Sequence, residues 1–189
     1  MSDSSVKDNT PGNSDLLAAW LDREGDVRRA LEVGPGHGVL DPEQVGHLPG
    51  LEVMRAMMEG RLPAPTISRT LDFLLVHLGE GSAIFQGTPG PDYLNPMGTM
   101  HGGWYATLLD SAMGCAVHTL MPPGRAYTTT NLSVNLVRAV PARVQRVRAE
   151  GRVLHAGRQL ASAEARLIGP DGAVYAHGTS ACLIFDARR

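Results

Sequence analysis

The sequence predicts an α+β domain, an antiparallel sheet wrapped around one long central helix, with a helical extension at the N-terminus. Two observations carry that reading. Residues 101–120 are apolar or small on nearly every side over a helix's length, and such a helix is buried rather than laid on a surface. Two strand-like runs come before it and four after, separated by Gly- and Pro-rich turns, with no internal repeat. The 189 residues, 43% of them hydrophobic, suffice for one domain with its own core plus extensions.

Each element has its own signal. Residues 1–12 are small, polar and aperiodic and are expected to be a disordered tail. From Asn13 or Ser14, either able to cap a helix, apolar residues recur at Leu16, Leu17, Trp20, Leu21, Val27 and Leu31, the face of an amphipathic helix ending near Gly34. The stretch GPGHGVLDPEQVGHLPG (34–50) reads as loop. Leu51, Met54 and Met58 share one face of a second short helix stopped by Gly60, and the prolines of RLPAPT (61–66) keep the next segment extended. Residues 66–77 (TISRTLDFLLVH) and 82–88 (SAIFQGT) read as strands joined by a turn at Gly79 and Gly81. A loop at 89–100 enters the central helix, which Pro122, Pro123 and Gly124 end. Strand-like runs follow at 126–140, 143–155, 158–168 and 173–185, with turns at Ala156 and Gly157 and at 169–172. The division expected is an extension over 1–48 and the sheet-and-helix domain over 49–189.

Composition narrows the function. A formal net charge of -2 and a pI near 6.4 argue against a dedicated nucleic-acid binder. No apolar run reaches the ~18 residues that span a bilayer. The opening MSDSSVKDNTPGNSD has no basic flank or apolar core of a secretory signal, so a cytoplasmic protein is expected. Cys115 and Cys182 suggest neither a disulfide framework nor a zinc site, and the histidines show no metal spacing. No GxSxG elbow occurs, and GPGHG at 34–38 lacks the preceding strand and following helix start of a phosphate loop. Neither a metal nor another cofactor is expected. The charge is uneven: residues 1–60 hold 11 acids against 5 bases, whereas 61–189 hold 8 against 12, all arginine. Seven of these, Arg138, Arg143, Arg146, Arg148, Arg152, Arg158 and Arg166, fall between 138 and 166. Singly they read as solvated strand faces; as a cluster they suit a phosphorylated carrier.

The densest chemistry lies in NPMGTMHGGWYATLLDS (95–111). His101, Gly102 and Gly103 open the buried helix, where unpaired backbone N–H groups and the helix dipole can polarise a carbonyl, as an oxyanion hole does. Glycine lets a ligand approach those donors. Asp110 sits among Leu108, Leu109, Ala112, Met113, Ala116 and Val117. A buried carboxylate is costly unless it is paired or used, and an exposed or hydrogen-bonded structural aspartate remains open on composition alone. Gly103 and Asp110 share a face but lie about 10 Å apart along the axis. One carbonyl is not easily served by both from one chain, which predicts a composite site with Asp110 supplied by a partner chain.

The run NPMGTMHGGWYATLLDSAMGCAV resembles the signature of hotdog-fold acyl-CoA thioesterases of the phenylacetate-degradation (PaaI-like) group, in which NPxGxxHGG precedes a helix carrying an aspartate. The likeness spans about residues 50–185, including GLEVMRAMMEGRLPAPTISRTL and TTTNLSVNLVRAV, and leaves 1–48 uncovered. The resemblance implies that Asp110 is base or nucleophile, that Gly102 donates its amide to the thioester carbonyl, and that Asn95 positions water or substrate. It matches His101 to the histidine that orients loop and substrate, and Thr129, between Thr128 and Thr130, to an assisting strand hydroxyl. Ser111 is a lesser candidate, the Gly103 amide is expected to join Gly102, and Arg138 with its cluster to hold coenzyme A phosphates. The composite site demands two chains, a homodimer, and leaves open whether dimers pair further into a tetramer. Asp72 and His77 have the five-residue spacing of hotdog hydratases, but in a predicted strand an odd separation points them to opposite faces. The alternative reading is a non-catalytic acyl-CoA-binding sensor on the same fold.

Overall fold

The computed structural model describes residues 12–187, so the tail expected over 1–12 lies outside it apart from Gly12. In chain order the elements are α1 (Asn13–Val33), β1 (His37–Gly38), α2 (Pro42–Val45), α3 (Gly50–Met58), β2 (Ala64–Pro65), α4 (Thr66–Thr70), β3 (Phe73–Gly79) and β4 (Ser82–Gly87). A 3-10 turn at Pro91–Tyr93 leads to α5 (Gly102–His118), followed by β5 (Arg125–Leu136), β6 (Val147–Ala156), β7 (Leu160–Ile168) and β8 (Val174–Asp186). Strands β3 to β8 form one antiparallel sheet in the order β3-β4-β6-β7-β8-β5, wrapped around α5. This is the α+β arrangement the sequence predicts.

Helix α5 is packed like a core element because it is one. Leu108, Leu109, Ala112, Met113, Ala116 and Val117 are fully buried, against Val147, Ala149, Ala163 and Leu167 of the sheet. Burying a large apolar side chain contributes about 1.5–3 kcal/mol, so these positions dominate the stability of the domain. The helix lies so close to β6 that a Cβ on Gly151 would stand 2.4 Å from the Ala112 carbonyl oxygen. Only glycine fits at that crossing.

Strand β3 has both faces covered. Phe73 and Leu75 join the core around α5, while Leu74 and Val76 point the other way and pack under Val27 and Leu31 of α1. Period-two alternation explains why its sequence, FLLV, is apolar without a break. Polar groups complete the docking of α1. Glu24, only 4% exposed, accepts hydrogen bonds from Arg146, Arg28 and Gln86. Burial alone would raise its carboxyl pKa, but those hydrogen bonds outweigh it and hold the pKa below the ordinary value. Arg148 donates to Gln86 and lies 4.3 Å from the Trp20 ring centroid, with burial lowering its pKa to about 10. Arg23 caps the free carbonyl of Val76, where β3 bulges.

Several expectations need correction. Neither Asn13 nor Ser14 caps α1; Gly12 does, through its backbone carbonyl. The segment 34–50 is not all loop, since His37–Gly38 pairs in parallel with Ala64–Pro65 and Asp41 caps the short α2. Residues 66–70 are helical rather than strand: Pro65 sets the entry and the Ser68 hydroxyl donates back to the Pro65 carbonyl. Residues 143–146 stay outside β6, because Arg146 turns aside to Glu24.

Candidate active site

The loop before α5 is built by Asn95. Its Oδ1 accepts from the Met97 and Thr99 amides at 2.9 and 3.2 Å, and its Nδ2 donates to Thr99 Oγ1 at 2.8 Å. Gly98 takes the positive φ the turn requires. Asn95 is thus engaged within its own loop, which presents His101 to the helix.

His101 caps α5. Its Nδ1 accepts from the Gly103 amide at 2.9 Å, while its own amide donates to the Tyr93 carbonyl. A nitrogen that accepts carries no proton, so the imidazole proton sits on Nε2. The Gly103 amide, expected to meet the substrate carbonyl, is therefore already taken. Among the described residues the Gly102 amide has no partner. A Cβ on Gly102 would begin 3.1 Å from Leu136 Cδ1, so Leu136 forms one wall beside that donor.

Asp110 lies half-buried on α5, and Thr129 Oγ1 donates to its Oδ1 at 3.0 Å. Of the three consecutive threonines the strand selects the middle one. A bulge at Thr130 falls between the pairs Thr129 with Cys182 and Asn131 with Ala181, and Thr130 spends its hydroxyl on the Ala181 carbonyl. Among the described residues Asp110 Oδ2 accepts nothing. Ser111 is half-buried beside it, with no hydrogen bond among the described residues. Cys115, one turn further on, is no nucleophile: burial, then the Asp110 charge, pushes its thiol to about 12. Gly102 and Asp110 are eight residues apart, about 12 Å along the axis, so one chain does not bring amide and carboxylate together.

The arginines divide into two groups. Arg146 and Arg148 fasten α1, and Arg152 pairs with Glu164, so the cluster is not a single phosphate-binding face. Arg138, Arg143, Arg158 and Arg166 are exposed and form no ion pair among the described residues. Arg138 and Arg143 sit near Tyr175, whose phenol is raised by burial and Asp171 and lowered by these two charges. The same segment is tied to the first turn of α5, since the Val140 amide donates to the Tyr105 hydroxyl at 3.0 Å.

Asp72 and His77 do not form a site. Asp72 lies ahead of β3 rather than in it, at φ 46°, and pairs with Arg28, whereas His77 is exposed on the strand. Among the described residues no three His, Cys, Asp or Glu side chains gather as for a metal, and no helix is long and apolar enough to cross a membrane. The Glu24 network escaped the sequence reading altogether, because an acid on an amphipathic helix carries no local sign that it will be buried.

Sheet, enclosed helix and glycine-rich helix start together are those of a hotdog protein. Residues 97–176 match the family model of the thioesterase superfamily. A conserved protein of Pseudomonas aeruginosa is 31% identical, with a TM-score of 0.59 over 64% of this chain and 94% of its own. A thioesterase family protein of Silicibacter pomeroyi is 25% identical (TM-score 0.61, 73% of this chain, 97% of its own). A phenylacetic acid degradation-related protein of Ralstonia eutropha is also 25% identical (TM-score 0.63, 69% and 98%). No curated protein matches. The chain belongs to the thioesterase superfamily, as a PaaI-like hotdog protein.

Proposed function

We propose that this thioesterase hydrolyses acyl-CoA thioesters to a free acid and coenzyme A, as a cytoplasmic homodimer without a metal or other cofactor. Each site combines the α5 start of one chain with Asp110 of the other. The observation that carries this is the presence of one donor without a partner among the described residues, the Gly102 amide, and one carboxylate held by Thr129 and, among the same residues, open at Oδ2. Two features support the second copy. Strand β5 is twelve residues long and has a neighbour on one side only among the described residues, and Asp110 lies on an α5 stripe with Gly103, Thr107 and Ser111 that the chain leaves partly uncovered.

In this mechanism Asp110 Oδ2 takes a proton from water as its oxygen bonds to the thioester carbon. The Gly102 amide holds the oxyanion, a contribution of about 10²–10³ in rate for one such donor. Collapse restores the carbonyl and breaks the C–S bond, and the departing thiolate takes the proton back from Asp110. His101 and Asn95 act by holding the helix start and its loop in place. Arg138 and Arg143 receive the phosphates of coenzyme A.

Free-thiol release from a panel of acyl-CoAs by Asp110→Asn tests the reading; undiminished turnover removes it. Tight acyl-CoA binding with no thiol release by the native protein would instead assign a sensor. The composite site has its own test. An Asp110→Asn protein and a Gly102→Val protein, each inactive, should regain about a quarter of native activity when dissociated and reassociated at equal amounts, since half the dimers then hold one intact site. A monomer with full activity overturns it.

A further inference from the structure

Residues 137–146, between β5 and β6, carry the exposed Arg138 and Arg143 and are pinned to the start of α5 at two points. Where the segment begins, Leu136 Cδ1 stands 3.1 Å from the place of a Cβ on Gly102. At its middle the Val140 amide donates to the Tyr105 hydroxyl at 3.0 Å. Tyr105 is 3% exposed and lies three residues past Gly102, so the two are neighbours on one side of the helix. Between these points the Val137 and Arg138 amides both donate to the Tyr175 carbonyl. Beyond them the Val144 amide donates to the Pro141 carbonyl and closes the turn that carries Arg143. Among the described residues the Tyr105 hydroxyl makes no other hydrogen bond. The ring alone would pack as well in phenylalanine, so the oxygen's task is to fix Val140 and the arginines on either side of it. Asp110 lies about 7.5 Å further along the axis than Tyr105.

We propose that Tyr105 is a positioning residue. Through Val140 it holds Arg138 and Arg143 beside the Gly102 amide of its own chain, so that one chain binds both the coenzyme A phosphates and the thioester carbonyl while its partner adds the Asp110 carboxylate. The inference rests on the acyl-CoA thioesterase reading above and assigns the two ends of the substrate to one chain. A tethered segment has less freedom to lose when a phosphate binds. The hydrogen bond therefore acts on affinity for the carrier and not on the step at the carbonyl.

Acyl-pantetheine, which carries the same thioester without the phosphates, separates the two. The ratio of kcat/KM for an acyl-CoA to that for the same acyl group on pantetheine should fall about three- to tenfold in Tyr105→Phe, through KM, the scale of one hydrogen bond. Arg138→Ala with Arg143→Ala should lower it about tenfold. No change in Tyr105→Phe, or an equal loss on both substrates, overturns the proposal. The chain assignment is read in reassociated dimers of Asp110→Asn and Gly102→Val chains, whose one intact site takes Gly102 from the first and Asp110 from the second. The two arginine substitutions should lower the ratio when placed on the Asp110→Asn chain and leave it when placed on the Gly102→Val chain. The opposite result, or an equal fall from both placements, overturns the assignment. A native protein that cleaves both carriers equally well, or arginine variants that keep the native ratio, overturns the phosphate contact while the thioesterase reading stands. No thiol release by the native protein from either substrate overturns both.

Discussion

The two long helices of this protein lie on opposite faces of one sheet and are held by opposite means. Helix α5 is buried on most sides by apolar packing, and its single carboxylate, Asp110, pairs among the described residues with the Thr129 hydroxyl alone. Helix α1 buries four side chains, Trp20, Glu24, Val27 and Leu31, and one of them is a charge satisfied by two arginines and a glutamine. The carboxylate on α1 is fully answered by the structure; the one on α5 is left half-answered. A carboxylate with all its partners is a fastening, and one with an oxygen left open is available for chemistry.

The comparison can be broken most decisively at Asp110. Replacement by asparagine should lower the rate of thiol release by about 10²–10⁴, the range for loss of a general base, with no loss in melting temperature. A stability loss as large as the activity loss would make Asp110 structural. Glu24→Ala should do the reverse. It leaves Arg146 without its carboxylate at a largely buried site and should cost about 3 kcal/mol, a drop of about 6–12 °C in a chain of this length by thermal unfolding. A change under a degree would show that α1 is held by its apolar face alone.

Acid sharpens the same contrast. The folded-state pKa of Glu24 lies below its ordinary value of 4.5, so its stabilisation is present above about pH 4.5 and disappears as pH falls through the folded value. The melting-temperature gap between native protein and Glu24→Gln should therefore be constant near neutrality and narrow progressively as pH falls below 4.5. A gap that widens as pH falls below 4.5 would contradict the assignment. The smallest effect belongs to His101→Ala, which removes the cap of α5 and should cost about 1 kcal/mol. If melting shows no loss, the Gly103 amide has found water instead.

The order of the six sheet strands and the identity of the buried helix were legible because both rest on local periodicity, which a run such as YATLLDSAMGCAV displays without reference to anything distant. Boundaries failed where a short-range hydrogen bond overrode propensity, as at Ser68, whose hydroxyl turns a β-looking TISRT into a helical turn. Of the site, the likeness to PaaI-like proteins named Asp110 and Thr129, and strand alternation is what turns Thr129 rather than Thr128 toward the carboxylate, while Thr130 stands in the bulge. The arginine cluster misled because a guanidinium's destination depends on its tertiary partner. Arg146 and Arg148 are spent on Glu24, Gln86 and Trp20, all more than sixty positions away in sequence.

The bulge at Thr130 gives β5 two phases. Before it the odd-numbered Tyr127 and Thr129 face α5; after it the even-numbered Leu132, Val134 and Leu136 take that side, in register with Ser180, Gly178 and Ala176. The hydroxyl that holds Asp110 and the leucine beside Gly102 can look at the same helix only while one surplus residue stands between them. A residue gained or lost in the 157–159 turn displaces only the turn. Loss of one here swings either Thr129 or Leu136 to the opposite face. Length in this strand is therefore inherited as strictly as chemistry, and among descendants of this sequence a single-residue deletion in β5 should be as rare as the loss of Asp110 itself.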